Sequence, residues 1–263
     1  MNITIIGWGH FAGVVAQSLD WRGHNIWQQD ESPHLRRIGQ KEIQDEPGYR
    51  PYHPKDFPPD VVWIAYDCPL DETGFPITSE IEARIARVHE RYGEGVPFFV
   101  SCQWPVGTMK RVAALCPGRE LVYVLENVRV GKALQDFADN PLTAVGAARD
   151  LSHDAKWLLD ELDPSVTLMS WESAELSKHA LNAFMALQIA FVNELADVAE
   201  YVDADHLDIS RALLADPRVS PFAPLHAGAP FGGGSLQRDL LVLEKLSAAP
   251  ILNAIRASND SRI

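Results

Sequence analysis

The sequence predicts an α/β fold, a doubly wound parallel sheet, followed by a smaller all-helical domain built on one long helix. Three observations carry this. Short apolar runs alternate with segments of helical spacing through the first half of the chain. A glycine turn joins the first such run to the first helical segment. Residues 172–204 then contain neither Gly nor Pro, and their apolar positions recur at three and four.

Ile3 to Gly7 reads as a strand, and His10 to Trp21 as a helix with Phe11, Val14, Val15 and Leu19 on one side. Arg22-Gly23 ends that helix, and Asn25 to Gln29 is a second strand stopping at Asp30. Residues 45–59, rich in Pro, Gly and Asp, read as a loop. Val61 to Ala65 is a third strand, Ile77 to Tyr92 a polar-faced helix, and Pro97 to Ser101 a fourth strand. Met109 to Leu115 is helical, Leu121 to Leu125 a fifth strand and Leu142 to Gly146 a sixth. Strands alternating with helices argue a parallel sheet covered on both faces. Glu172 to Ala204 reads as one helix about 50 Å long. From Pro217 to Ser235 the pattern dissolves into Pro and Gly. Helical spacing returns over Leu236 to Leu246 and again near the C-terminus. The expected boundary lies at residues 165–172, giving domains at 1–170 and 171–263.

Composition narrows the function classes. The 263 residues are 46% hydrophobic and 22% charged, which excludes disordered, collagen-like and disulfide-stapled chains. The net charge of -13 repels phosphate backbones, so no nucleic-acid partner is expected. No apolar run reaches the roughly 20 residues of a membrane span, and the N-terminus lacks a signal peptide's basic region. Cys68, Cys102 and Cys116 have no metal-ligand spacing. They suit free thiols in a reducing cytoplasm, and no metal site is expected.

Gly7-Trp8-Gly9-His10-Phe11-Ala12 fits G-x-G-x-x-[GA] between a strand and a helix. The first glycine permits a tight turn. The second lets a pyrophosphate approach the backbone, and the helix N-terminus supplies donors, as in a Rossmann-type domain. Asp30 can accept hydrogen bonds from both adenosine ribose hydroxyls and would repel a 2′-phosphate, which favours NAD over NADP. Lys178 and Asn182, four apart, project from one helix face. On spacing alone a lysine there is more often exposed than functional. Phe231-Gly232-Gly233-Gly234-Ser235 either wraps a ligand closely or forms an interdomain hinge.

Taken together these residues resemble the UDP-glucose/GDP-mannose dehydrogenase family. Ile6 to His10 is similar to its N-terminal fingerprint, and Gln103-Trp104-Pro105-Val106-Gly107-Thr108 to its loop after the fourth strand. Glu126 to Ala133 is similar to its P-E-F-x-x-E-G-x-A segment. Glu175 to Phe184 matches its E-x-x-K-x-x-x-N-x-F helix. Asp216-Pro217-Arg218 and Phe231 to Asp239 resemble its arginine turn and its F-G-G-S-C-x-x-K-D loop. The resemblance implies two NAD-dependent oxidations of a sugar alcohol, with a homodimer formed through the 172–204 helix. It makes Glu126 an acid/base carboxylate, Lys178 the stabiliser of the alkoxide, Asn182 a ligand of the reacting oxygen and Asp239 an activator of water. It places Gly7, Gly9, His10, Phe11, Asp30, Pro69 and Gln103 on the cofactor. Arg218, Phe231, Gly232 and Gly233 fall on the substrate.

Departures redirect this reading. The family's cysteine nucleophile aligns with Ser235, whose unactivated hydroxyl supplies essentially no anion where a thiol of pKa ~8.5 supplies some. The lysine before the aspartate is Arg238, and the second glutamate of the Glu126 segment is Val130. The chain ends at Ile263, ahead of the family's C-terminal sugar-nucleotide domain. The Lys178/Asn182 pair is also that of the β-hydroxyacid dehydrogenases, which transfer a single hydride. The expectation is therefore an NAD-dependent oxidoreductase that interconverts an alcohol and a carbonyl of a sugar or hydroxy acid. The alternatives are a four-electron sugar-nucleotide 6-dehydrogenase, with Ser235 or water in place of the thiol, and a non-catalytic NAD-binding protein.

Overall fold

Strand β1 (Asn2–Ile6) buries Ile3, Ile5 and Ile6 alike, so both of its faces are covered. That is the environment of a central parallel strand, and it explains why the run is continuously apolar rather than alternating. The computed structural model describes residues 1–29, 36–37, 58–129, 131–139, 144–148, 150–232 and 234–262. Helix α1 (His10–Trp21) follows the turn and buries Phe11, Val14, Val15 and Leu19. Strands β2 (Asn25–Gln29), β3 (Arg36–Arg37) and β4 (Val61–Ala65) come next, then helix α2 (Ser79–Arg91) and strand β5 (Phe98–Ser101). Helix α3 (Thr108–Leu115), strand β6 (Leu121–Val124), helix α4 (Ala133–Asp139) and strand β7 (Ala144–Gly146) continue the alternation. Helix α5 (His153–Leu162) and strand β8 (Thr167–Met169) complete it.

The sheet has the order β3-β2-β1-β4-β5-β6-β7-β8. Strands β2, β1, β4, β5 and β6 are mutually parallel. The edges depart from the expected all-parallel arrangement: β3 runs antiparallel to β2, and β7 antiparallel to β6. Antiparallel edges on a parallel centre are common in doubly wound sheets. The strand order reverses between β1 and β4, and in such sheets ligands bind outside the carboxyl ends of the strands at that point. One face of the sheet packs on Phe11, Leu19, Phe137, Leu158 and Leu162, the other on Ile81, Ile85, Trp104 and Met109.

Helix α6 (Trp171–Tyr201) is the long helix. It stops three residues short of the expected Ala204 because Asp203 takes a left-handed φ of 55° and the Ala204 N–H folds back onto the Ala199 carbonyl, 2.8 Å. Helices α7 (His206–Ala215), α8 (Leu236–Leu246) and α9 (Pro250–Asp260) follow. The chain divides into two compact units. The first is Met1–Pro69 with Pro76–Lys178, and the second is Leu70–Phe75 with His179–Ile263. The second unit's core joins Ala183, Ala186 and Ala190 of α6 to Phe231, Leu240, Leu243 and Ile255. Asp30, Val130, Gly233, residues 45–57 and the first two residues of the expected sixth strand, Leu142 and Thr143, lie outside the described residues.

Candidate functional site

In the first unit, Gly7 has a φ of +128°, and a Cβ there would lie 2.1 Å from the Ala65 carbonyl oxygen. Only glycine fits, on both conformational and steric grounds. The turn is pinned to β2 from both sides. The Gly7 N–H donates to the Gln29 carbonyl at 2.9 Å, and Gln28 Nε2 donates to the Gly7 carbonyl at 2.8 Å. Gly9 is the N-cap of α1 and brings no side chain to cap it, which leaves backbone donors at that end for a ligand. His10 is exposed, whereas the Phe11 side chain is buried edge-on against Phe137 with ring centroids 5.9 Å apart. Any ligand contact of Phe11 is therefore through its backbone. A pocket of about 710 Å³ opens here, lined by Gly9, His10 and Gly13 on one side and Gly131, Lys132 and Ala133 on the other.

The carboxyl ends of β4, β5 and β6 carry the next residues. Pro69 is exposed and its carbonyl accepts from the Ile77 N–H at 2.7 Å. Gln103 and Glu126 are half-buried just past β5 and β6. Burial pushes the Cys102 thiol well above its usual range, and the charges of Glu126 and Asp67 push it further, so this thiol is inert.

Lys178 is buried, 7% exposed. The spacing argument that favoured an exposed lysine gave way to tertiary packing. One turn earlier on α6, Glu175 accepts from the backbone N–H groups of Gly107 at 2.6 Å and Met109 at 2.7 Å. It thereby caps α3 with a side chain from another helix. Burial raises its pKa, and those donors, with Trp104, offset part of the rise.

In the second unit, Asp239 is fully buried and held by three partners. Asn182 Nδ2 donates to its Oδ2, His179 Nδ1 lies 3.1 Å from its Oδ1, and Arg238 Nε donates to Oδ1 at 3.1 Å. Burial presses its pKa upward, but His179 and Arg238 outweigh that, and the net value lies below the usual carboxylate range. The pairing also fixes Asn182. A carboxylate only accepts, so the atom facing it is the amide nitrogen, and the amide oxygen keeps its lone pairs for another donor. Phe231 opens the glycine loop from a buried seat, donating its N–H to Asn259 Oδ1 at 2.7 Å and accepting from Asn259 Nδ2 at 3.0 Å. Gly232, Gly234 and Ser235 are exposed, with Ser235 at the N-cap of α8. Arg218 is exposed and doubly bonded to Asp216, at 2.9 and 2.7 Å.

Sequence reasoning gave no role to His179, Glu175, Asp67 or Asn259. His179 and Glu175 stood inside the quoted helix motif, but their partners lie 60 and some 66–68 residues away. Among the described residues no His/Cys/Asp/Glu group could hold a metal ion, and no helix is long and apolar enough to cross a membrane.

Residues 172–261 match the UDP-glucose/GDP-mannose dehydrogenase family, central domain. UDP-glucose 6-dehydrogenase TuaD of Bacillus subtilis (strain 168) is 28% identical over 219 residues, covering 77% of this chain. The chain spans about half of that relative, 47% of its length. A UDP-glucose dehydrogenase structure from Pyrobaculum islandicum superposes with a TM-score of 0.77 at 22% identity, covering 99% of this chain and 68% of that one. The 3-hydroxyisobutyrate dehydrogenase of Mycobacterium tuberculosis gives a TM-score of 0.69 at 16% identity over 99% of this chain and 92% of its own. These two share the fold. By its motifs, its fold and its residues 172–261, the chain resembles the UDP-glucose/GDP-mannose dehydrogenase family.

Proposed function

We propose that the chain is an NAD-dependent oxidoreductase that interconverts an alcohol and a carbonyl of a sugar or hydroxy acid by a single hydride transfer. The observation that carries this is the state of α6: Lys178 is buried, and Asn182, four residues on, has its amide committed to Asp239. A buried cation and an oriented amide oxygen on one helix face are the groups an alcohol–carbonyl exchange needs. Lys178 holds or moves the proton on the reacting oxygen. Asn182 accepts from the hydroxyl and orients it. Asp239 is engaged three ways and held anionic, which suits an orienting carboxylate better than a proton-accepting base.

The residues fit NAD. Gly7 gives the turn its positive-φ backbone, Gly9 starts α1 without a side-chain cap, Lys132 brings a cation to the pocket beside it, and Pro69, Gln103 and Glu126 follow strands of the same sheet. Bound there, NAD supplies the hydride acceptor. Residues 1–170 are then the cofactor domain, and residues 171–263 serve substrate binding and dimerisation. Arg218, Phe231 and the glycine loop are substrate contacts in this reading. The dimer is supported by α6, which buries alanines on one face while Phe184, Leu187, Phe191 and Val198 form an exposed apolar stripe on another. Cys68, Cys102 and Cys116 are thiols, which suits a reducing cytoplasm.

The similarity to UDP-glucose dehydrogenases favours a second reading, a four-electron oxidation with Ser235 or water replacing the thiol. A screen of alcohols with NAD, counting NADH per product, decides. One NADH supports the single transfer, two support the four-electron reading, and turnover of none with NAD bound leaves a non-catalytic binding protein.

A further inference from the structure

The space that Gly9 leaves open is already taken. A Cβ on Gly9 would lie 2.4 Å from Asp67 Oδ2, 3.0 Å from its Cγ and 3.2 Å from its Oδ1, so the whole carboxylate lies over this glycine. Asp67 is exposed, two residues past the end of β4, and β4 pairs with β1, whose end carries the turn. Sheet topology thus places a carboxylate where the second glycine lets phosphate approach the backbone. We infer that Asp67 is a specificity residue of this turn, selecting against phosphates of high charge. The inference rests on the dinucleotide reading given above.

The chemistry is one of like charges at close range. A carboxylate a few ångströms from a phosphate is repulsive even at the effective dielectric of a protein surface. The two phosphates of a dinucleotide are diesters and carry one charge each. The terminal phosphate of a nucleoside diphosphate is a monoester and carries nearly two at neutral pH, as phosphate monoesters do. A fixed negative charge at the turn therefore weakens the nucleoside diphosphate more than the dinucleotide. Lys132, across the pocket, supplies the attraction that the dinucleotide keeps.

Calorimetric titration of NAD and of ADP into the wild type, Asp67→Asn and Asp67→Gly tests this. Asn keeps the size and removes the charge, and the exposed position leaves folding intact. In Asp67→Asn, ADP affinity is expected to rise about tenfold and NAD affinity by less, so the preference for NAD narrows. Asp67→Gly should do at least as much. Unchanged or weakened binding in Asp67→Asn, a gain confined to Asp67→Gly, or equal gains for both ligands would overturn the inference while leaving the cofactor reading intact. A folded wild type and folded variants that bind no NAD at all would overturn that reading, and the inference with it.

Discussion

On the proposed reading, Lys178 is the residue on which the chemistry turns. Replacing it by Ala should lower the turnover of NAD-linked alcohol oxidation by roughly 10²–10⁴, the range for removal of a positioned proton carrier. Ser235→Ala should cost only about 5–30-fold, since an exposed hydroxyl at a helix N-cap offers at most a binding contact. Steady-state kinetics of both variants on one substrate checks the pair, and equal inactivation would make Ser235 a nucleophile. Asp239 carries a prediction in pH. Its folded pKa lies below the ordinary value, so it contributes stability that is present above about pH 4 and lost as pH falls through the lowered value. Acid unfolding followed by circular dichroism should show the wild type losing stability over that window, and Asp239→Asn doing so less steeply. The glycine turn and the Lys178/Asn182 spacing were legible in the sequence because each is a local relation. Asp67 over Gly9 and His179 beside Asp239 were not, because each pair is made by strand order or helix packing.

Among the elements, the central strands were legible because they are buried on both faces and therefore read as unbroken apolar runs. Helices α5 and α7 escaped notice although each has a cap written into it. Ser152 accepts from the Ala155 N–H and Asp205 from the Leu207 N–H. The two-residue β3 is too short for any periodicity. The start of α6 is tied to α3 by a single carboxylate, which predicts its own test. Glu175→Ala leaves two backbone donors in the interior without their acceptor and should destabilise the protein by about 1–3 kcal/mol. Chemical denaturation measures the loss. Hydrogen exchange should show faster amides at Gly107 and Met109 specifically, whereas uniform acceleration along the chain would argue that Glu175 is no cap.

At the scale of the whole molecule, the exposed stripe on α6 predicts a dimer at micromolar concentration by light scattering. Phe191→Glu, which puts a charge in the middle of that stripe, should shift it to monomer without unfolding it. A wild type that scatters as a monomer would remove the helix from any interface. The pattern changes from alternating to helical at residues 165–172, and one division between the compact units comes further on. It falls inside an unbroken helix, between Lys178 and His179, where no Gly or Pro could mark it. Between Lys178 and Asn182 the helix works as an angular index. Each residue of helix advances the azimuth by about 100°, so Lys178 and Asn182 stand about 40° apart. One alanine inserted after His179 would open that angle to about 140° and turn the two groups to opposite sides of the rod. A loop would absorb such an insertion, whereas a helix converts it into rotation of one side chain about the axis relative to the other. Activity should therefore vanish with one added residue, even where helicity by circular dichroism is retained.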